Sequence, residues 1–222
     1  MMDITLFRDL AMLFNKNGFR LYMIGGTSRD YLLELPLEDF DLVTDATPAQ
    51  MAAFLPEADH RFAHYGNVKT KSGTHRVDIT TLREEAGYKD YRHPQSISFV
   101  TDIAKDYGRR DFTINALYID EQLQIHDFGS GLDDLKAKTI RMIGEPNLRL
   151  QEDPIRILRA LRFSLKLGFA LDPELKKALI GNIEMLEYVN PAKVNAEIVK
   201  IERVDPLKAK DLLFSYGINE RY

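Results

Sequence analysis

The sequence contains no cysteine. Disulfides and thiolate-ligated metal sites are therefore excluded, and the composition fits a reducing compartment. It also lacks any apolar run long enough to cross a bilayer, and its opening residues interleave charges with apolar side chains instead of building a signal-peptide core. A cytoplasmic protein with no membrane partner is the expectation. Histidines number only five; His60, His64, His75 and His126 have no metal-ligand spacing and read as structural or solvent-facing. Net positive charge is missing too. Thirty Lys and Arg stand against 34 Asp and Glu, a balance of −4 that taken alone argues against a phosphate-binding surface. The average conceals a local basic stretch, however: Arg141, Arg149, Arg156, Arg159, Arg162 and Lys166 lie close together in sequence.

What is present is ordinary for a globular chain. Hydrophobic residues make up 45% and charged residues 29% of 222, enough for one domain of usual size plus a smaller appendage. Apolar spacing at Leu6, Leu10, Leu13 and Phe14 predicts a helix over residues 4–17. A short strand over 21–24 runs into Gly25-Gly26, with a helix starting after that turn. Residues 40–44 read as a strand, and 48–54 as a helix capped by Thr47. Residues 67–71 and 75–82 read as a hairpin around Ser72-Gly73. Residues 87–98 carry Gly, Pro and charges without periodicity and predict a loop; 114–119 and 123–126 predict two more strands. From about residue 148 the pattern becomes helical, with segments 154–167, 173–183 and 191–203 each opened by a proline suited to a first helical turn. Within 154–167, Ile157, Leu158, Leu161 and Leu165 predict core contacts. Mixed α/β followed by all-helical sequence places a boundary near residue 138.

The most informative segment is Gly25-Gly26-Thr27-Ser28-Arg29-Asp30 followed by Asp39-Phe40-Asp41. Aspartates at i and i+2 on a strand point to one face. Two such carboxylates repel unless a cation lies between them, and Mg²⁺ favours oxygen ligands shared with substrate phosphates. A Gly-Gly turn at a helix start brings backbone N–H groups close to a phosphate with no Cβ in the way. Together these parts can hold a nucleoside triphosphate for attack by a hydroxyl at its α-phosphorus. A bare Asp-x-Asp would more commonly just solvate a strand end; the paired glycines upstream reverse that preference.

These residues resemble a known family. Gly25-Gly26-x-x-Arg29-Asp30 through Asp39-x-Asp41-x-x-Thr44 is similar to the first motif of the class II tRNA CCA-adding enzymes and bacterial poly(A) polymerases, within the polymerase-β-like nucleotidyltransferases. Arg109-Arg110-Asp111-Phe112-Thr113-Ile114-Asn115-Ala116 is similar to the second motif almost residue for residue. Asp127-Phe128-Gly129 through Asp134-Leu135 resembles the linking motif, and Glu152-Asp153-Pro154-x-Arg156 the base-reading motif. Residues 190–201 resemble the last common helix more loosely. The resemblance implies an α/β (α+β) polymerase-β-like head with a mixed sheet over residues 1–138, followed by an all-helical neck over 139–222.

It also implies roles. Asp39 and Asp41 would bind the metal ions, Mg²⁺. Apart from the resemblance, the place of Asp78 on the outgoing hairpin strand makes it a candidate third acid near the metals, its alternative being an edge-strand surface charge. Gly25, Gly26, Arg29, Asp30, Arg109, Arg110, Asp111 and Asn115 would surround the nucleotide. Guanidinium forks suit phosphate oxygens, and Asp111 can accept a hydrogen bond from a 2′-hydroxyl. Glu152, Asp153, Arg156 and Arg159 would read the base by edge-to-edge hydrogen bonds; an intrahelical salt-bridge ladder along one helix face is the plainer alternative. The segment 87–94 is similar to a mobile loop that helps switch between C and A addition, with an inert exposed loop as its alternative.

Three positions depart from the pattern: Ser28 stands where a small apolar residue is usual, Glu34 where a glycine is common, and Gly129-Ser130-Gly131 is looser than a tight Gly-Gly. The chain also stops at Tyr222, where the family continues into a helical body and tail that grip the tRNA. A natural minimal enzyme, a fragment, or a subunit whose RNA-gripping part is a second chain would each account for that. The expected activity is template-independent addition of CMP and/or AMP from CTP and ATP to a tRNA 3′ end, by a two-metal displacement releasing pyrophosphate. The rivals are a poly(A) polymerase, a C-only or A-only enzyme acting on tRNA or another RNA, a non-catalytic nucleotide- or RNA-binding module and, more weakly, an enzyme modifying an antibiotic.

Overall fold

The opening apolar stripe closes as helix α1 (Thr5–Lys16), whose buried line is Phe7, Ala11 and Phe14, with Leu6 and Leu10 packed at its margin. Spacing of three to four residues is what lets one side chain per turn reach the core. The chain is seen here as a computed structural model that describes residues 4–88 and 94–218. After α1 come β1 (Leu21–Met23), α2 (Gly25–Leu32), β2 (Phe40–Thr44), α3 (Pro48–Phe54), β3 (Asn67–Ser72) and β4 (His75–Thr81). Helix α3 starts where a capping box dictates: Thr47 accepts from Gln50 N–H, and the Gln50 side chain accepts from Thr47 N–H.

Next come β5 (Arg83–Tyr88), β6 (Pro94–Phe99), α4 (Ile103–Tyr107), β7 (Tyr118–Ile119), β8 (Ile125–His126) and α5 (Gly131–Lys136). Here the sequence reading needs correcting. Strands β5 and β6 pair as a two-stranded ribbon where a loop was expected; the central residues of the expected mobile loop, 89–93, lie outside the described residues. The expected strand 114–119 is a 3₁₀ turn over Thr113–Asn115 followed by only two strand residues.

Among the described residues, six strands form one sheet in the order β3-β4-β2-β1-β7-β8. The β2–β4 pair is parallel and its other neighbours antiparallel, so the sheet is mixed as expected. One face buries Leu21, Met23, Phe40, Leu42, Val77 and Ile79 with α1. The alternation along β2 is what leaves Asp41 exposed between buried Phe40 and Leu42.

The remainder comprises β9 (Thr139–Ile140), α6 (Pro146–Glu152), α7 (Ile155–Leu167), β10 (Ala170–Leu171), α8 (Pro173–Asn182), α9 (Pro191–Glu202) and α10 (Pro206–Ser215). Four of these helices carry proline at their first turn behind a side chain that accepts backbone N–H groups: Glu145, Asp172, Asn190 and Asp205. Helix α7 buries Ile157, Leu158 and Leu161, while Leu165 is half-buried. No helix of the described residues is long and apolar enough to cross a membrane.

The chain divides into two compact units. The first contains Met1–Glu85, Ser96–Arg110 and Ile114–Leu132; the second contains Ala86–Gln95, Asp111–Thr113 and Asp133–Tyr222. The short piece Asp111–Thr113 joins the second through main-chain bonds, Thr113 N–H to Arg141 O at 3.0 Å and Ile143 N–H to Asp111 O at 2.9 Å. The Arg109-Arg110-Asp111 motif is thus divided between the units.

Candidate active site

In the first unit, α2 begins on the paired glycines themselves, not after them. Gly25 adopts φ +64°, and a Cβ there would lie 3.1 Å from Asp41 Oδ2. A Cβ on Gly26 would lie 3.3 Å from the same oxygen. Two glycines are therefore what allows the Asp41 carboxylate to settle against the start of a helix, where it accepts the Gly26 N–H at 3.2 Å. That end of a helix favours negative charge. Thr27 then ties the corner together, its hydroxyl donating to Asp39 O at 3.3 Å and accepting from Asp41 N–H at 2.7 Å. Sequence reading gave Thr27 no role; its place behind a helix-starting Gly-Gly is the only signal it carries.

Asp39 lies in the bend just before β2, and both it and Asp41 are exposed on either side of buried Phe40. Asp78 stands opposite Asp41 in the parallel β2–β4 register. Its strand is interior to the sheet, β3 being the edge, so an edge-strand charge is the wrong description. Lys69 Nζ holds Asp78 at 3.0 Å. Among the described residues no three acidic or imidazole side chains converge as a ready-made metal cage.

Arg29 and Asp30 follow on α2. The Arg29 side chain is buried, 1% exposed, its charge met by Asp30 (2.6 and 2.8 Å) and its Nη1 donating to Asn115 Oδ1 at 2.7 Å. Gly25, Gly26, Arg29, Asp30, Asp41 and Asn115 are thereby brought together, with Arg29 packed behind the glycine turn. Asn115 Nδ2 is buried without a hydrogen-bond partner. Ser28, fully buried, satisfies its hydroxyl on Gly25 O at 3.4 Å, which is how a polar residue is tolerated there. Glu34 has φ +57°, the left-handed backbone that glycine adopts without strain.

Arg109 and Arg110 converge on one carboxylate that the sequence reading passed over, Asp106 of α4. Arg109 is also within 3.6 Å of Glu85, which Arg83 holds at 2.6 Å. Burial opposes the charge on Asp106, but the flanking Arg110 and Arg109 win and hold its carboxyl well below the usual carboxylate range.

In the second unit, Asp111 Oδ2 accepts from Arg159 Nε at 2.7 Å and from Arg159 Nη2, while Oδ1 accepts Phe112 N–H at 2.8 Å. Burial again works against the charge, and Arg159 overcomes it, lowering the Asp111 pKa. The base-reading residues are not on a single helix. Helix α6 ends at Glu152, Asp153 breaks the chain with φ −145° and ψ 94°, and α7 starts at Ile155, whose N–H donates to Asp153 Oδ1 at 3.2 Å. Arg156, 6% exposed, donates from Nη1 to Arg149 O at 2.7 Å and Glu152 Oε2 at 3.1 Å. Neither one shared helix face nor the alternative of a ladder along it is found; the residues form a knot across a helix break, because proline after Asp153 disfavours helical backbone at Asp153.

The family described as "Poly A polymerase head domain" matches residues 21–141. A CCA-adding enzyme of Lactobacillus delbrueckii subsp. bulgaricus is 40% identical over 185 residues, covering 83% of this chain and 46% of that protein. One from Streptococcus pneumoniae is 38% identical over 184 residues, with the same coverage of 83% and 46%. Among solved structures, the Bacillus stearothermophilus CCA-adding enzyme in complex with CTP aligns with a TM-score of 0.82 at 29% identity, over 95% of this chain and 51% of that one. The Thermotoga maritima CCA-adding enzyme complexed with tRNA aligns with a TM-score of 0.76 at 28% identity, over 96% and 50%. This chain spans about half the length of the curated relatives it matches. The resemblance read from the motifs is borne out: the chain belongs to the poly(A) polymerase head-domain family, in company with the CCA-adding enzymes.

Proposed function

We propose that this chain is the catalytic head (residues 1–138) and helical neck (139–222) of a cytoplasmic RNA nucleotidyltransferase, which adds CMP and AMP from CTP and ATP to the 3′ end of tRNA without a template. The observation that carries the reading is the glycine–aspartate corner, with Asp41 seated against Gly25-Gly26 and Asp39 exposed one residue upstream of Phe40. Solved structures of CCA-adding enzymes with CTP, with ATP and with tRNA support the choice of substrates.

The donor set fits a hard divalent cation. Asp39 and Asp41 are exposed carboxylates, the oxygen ligand type that Mg²⁺ takes while keeping positions for water and phosphate. Bound there, the cation would neutralise phosphate charge and make the 3′-hydroxyl a better nucleophile. The chain's own residues do the rest. Arg109 and Arg110 present charge to the β- and γ-phosphates, and Asp111, held by Arg159, accepts from a ribose hydroxyl. Glu152, Asp153 and Arg156 offer a base edge both acceptors and donors. A bond forms between the 3′-oxygen and the α-phosphorus as the bond to pyrophosphate breaks, so no protein nucleophile is needed.

Incubating the natural full-length chain with CTP, ATP, Mg²⁺ and tRNAs ending before, within or after CCA tests the proposal. Incorporation that completes CCA and then stops supports it. A long A tract points to poly(A) synthesis, addition of one base alone to a C-only or A-only enzyme, and no incorporation on any end rejects it.

A further inference from the structure

Asp106 belongs to none of the motifs discussed above, yet its carboxylate accepts from three different residues' side chains and from a backbone N–H. It is fully buried, 0% exposed. Oδ1 accepts from Arg109 Nε at 2.7 Å and from Arg83 N–H at 3.1 Å. Oδ2 accepts from Arg110 Nε at 2.9 Å and from the Tyr118 hydroxyl at 2.7 Å, and lies 2.7 Å from Arg110 Nη2. Tyr118 closes the ring, its oxygen also accepting from Arg110 Nε at 2.9 Å. The Arg110 guanidinium further lies 5.1 Å from the centre of the Tyr118 ring. Burial keeps the Tyr118 phenol protonated far above neutrality, so it stays a donor to Asp106.

Two adjacent arginines repel one another and carry long, freely rotating stems, so in water neither would hold a defined direction. Asp106 changes that with one charge placed between both guanidiniums at their Nε edges. Bonding at Nε fixes the plane of each fork. Glu85, held by Arg83, also lies 3.6 Å from Arg109.

We propose that Asp106, braced by Tyr118, is a positioning residue that aims Arg109 and Arg110 at the β- and γ-phosphates of the incoming nucleoside triphosphate. The inference rests on the reading of those arginines as phosphate contacts. Its signature is selective: it acts on the polyphosphate, not on the base or the RNA. In the natural full-length enzyme, Asp106→Asn should raise the KM for CTP and ATP about tenfold or more, with a parallel rise in the inhibition constant of inorganic tripolyphosphate. The KM for tRNA should stay within about twofold. Asp106→Asn leaves two buried guanidiniums undercompensated and is at risk of misfolding. Tyr118→Phe keeps the ring and Asp106 and removes only the hydroxyl; it should shift the same constants in the same direction by about threefold.

Arg109→Ala and Arg110→Ala separate the two levels. If they weaken tripolyphosphate while folded Asp106→Asn and Tyr118→Phe leave it at the wild-type value, the positioning role is overturned and the phosphate reading stands. If the arginine variants bind tripolyphosphate as wild type does, the phosphate reading fails and takes this inference with it. An equal loss for tRNA and nucleotide in Tyr118→Phe would mean a merely structural knot and would also overturn the proposal.

Discussion

Asp39 and Asp41 stand exposed at the end of a strand, whereas Asp106 and Asp111 are folded inward, each under arginine side chains. The two pairs place the same functional group in opposite surroundings. Asp39 and Asp41 face solvent, Asp41 while accepting the Gly26 N–H, so their removal should cost less stability than removal of a buried ion-pair member. A buried carboxylate is committed to its partners, and its removal leaves guanidiniums without compensation. Exposed carboxylates should therefore separate from buried, arginine-held ones when activity and stability are measured together.

The largest expected effect lies on the exposed side. Asp41→Ala should cut nucleotide incorporation by about a thousandfold or more while shifting the thermal midpoint little, as activity assay and calorimetry on the same preparation would show. A large loss of stability in that variant would erase the contrast. Next comes the buried side. Arg159→Met should destabilise by about 2 kcal/mol in urea unfolding, less than for a fully enclosed pair because the Arg159 side chain is 35% exposed.

The same contrast has a pH signature. The folded-state pKa values of Asp106 and Asp111 are depressed, so their contribution to stability is complete above the ordinary carboxylate pKa of about 4 and is lost as pH falls through the depressed values. Urea midpoints should therefore drop steeply below pH 4, and Arg159→Met should flatten that drop. The smallest effect is at Glu34, where left-handed backbone carries a side chain. Glu34→Gly should stabilise by about 1 kcal/mol without changing activity, read from the same unfolding curves.

Regular periodicity carried the sequence reading furthest. Strand 40–44 and helix 48–54 matched their predicted bounds, since alternation and a Thr–Gln capping box are local signals. The paired strands β5 and β6 were illegible because their pairing is a relation between segments, and Gly87 and Pro94 read locally as breakers. The strand expected at 114–119 shrank because Thr113 spends its hydroxyl on Asp134 and its N–H on Arg141 O, bonds whose partners lie more than twenty residues away. Helices α6 and α10 were readable in principle from Glu145-Pro146 and Asp205-Pro206, the same signature that marked their neighbours.

At the site, motif spacing identified Asp41 with its glycines but not what supports them. Thr27 and Tyr118 were invisible because their partners lie eight to fourteen residues away, and Asp106 because its three- and four-residue spacing to Arg109 and Arg110 equally describes a plain helix-surface ion pair. The break at Asp153 was encoded by Pro154 yet outweighed in the reading by the helical spacing around it.

Asp39 and Asp41 are proposed to hold a divalent ion jointly beside the triphosphate. Mn²⁺ binding followed by electron paramagnetic resonance, in the presence of a non-hydrolysable CTP analogue, reports on that directly. Wild-type protein should bind protein-associated Mn²⁺ that Mg²⁺ displaces, and Asp39→Asn and Asp41→Asn should each weaken it severely while remaining folded. Undiminished Mn²⁺ binding in both variants would contradict the account.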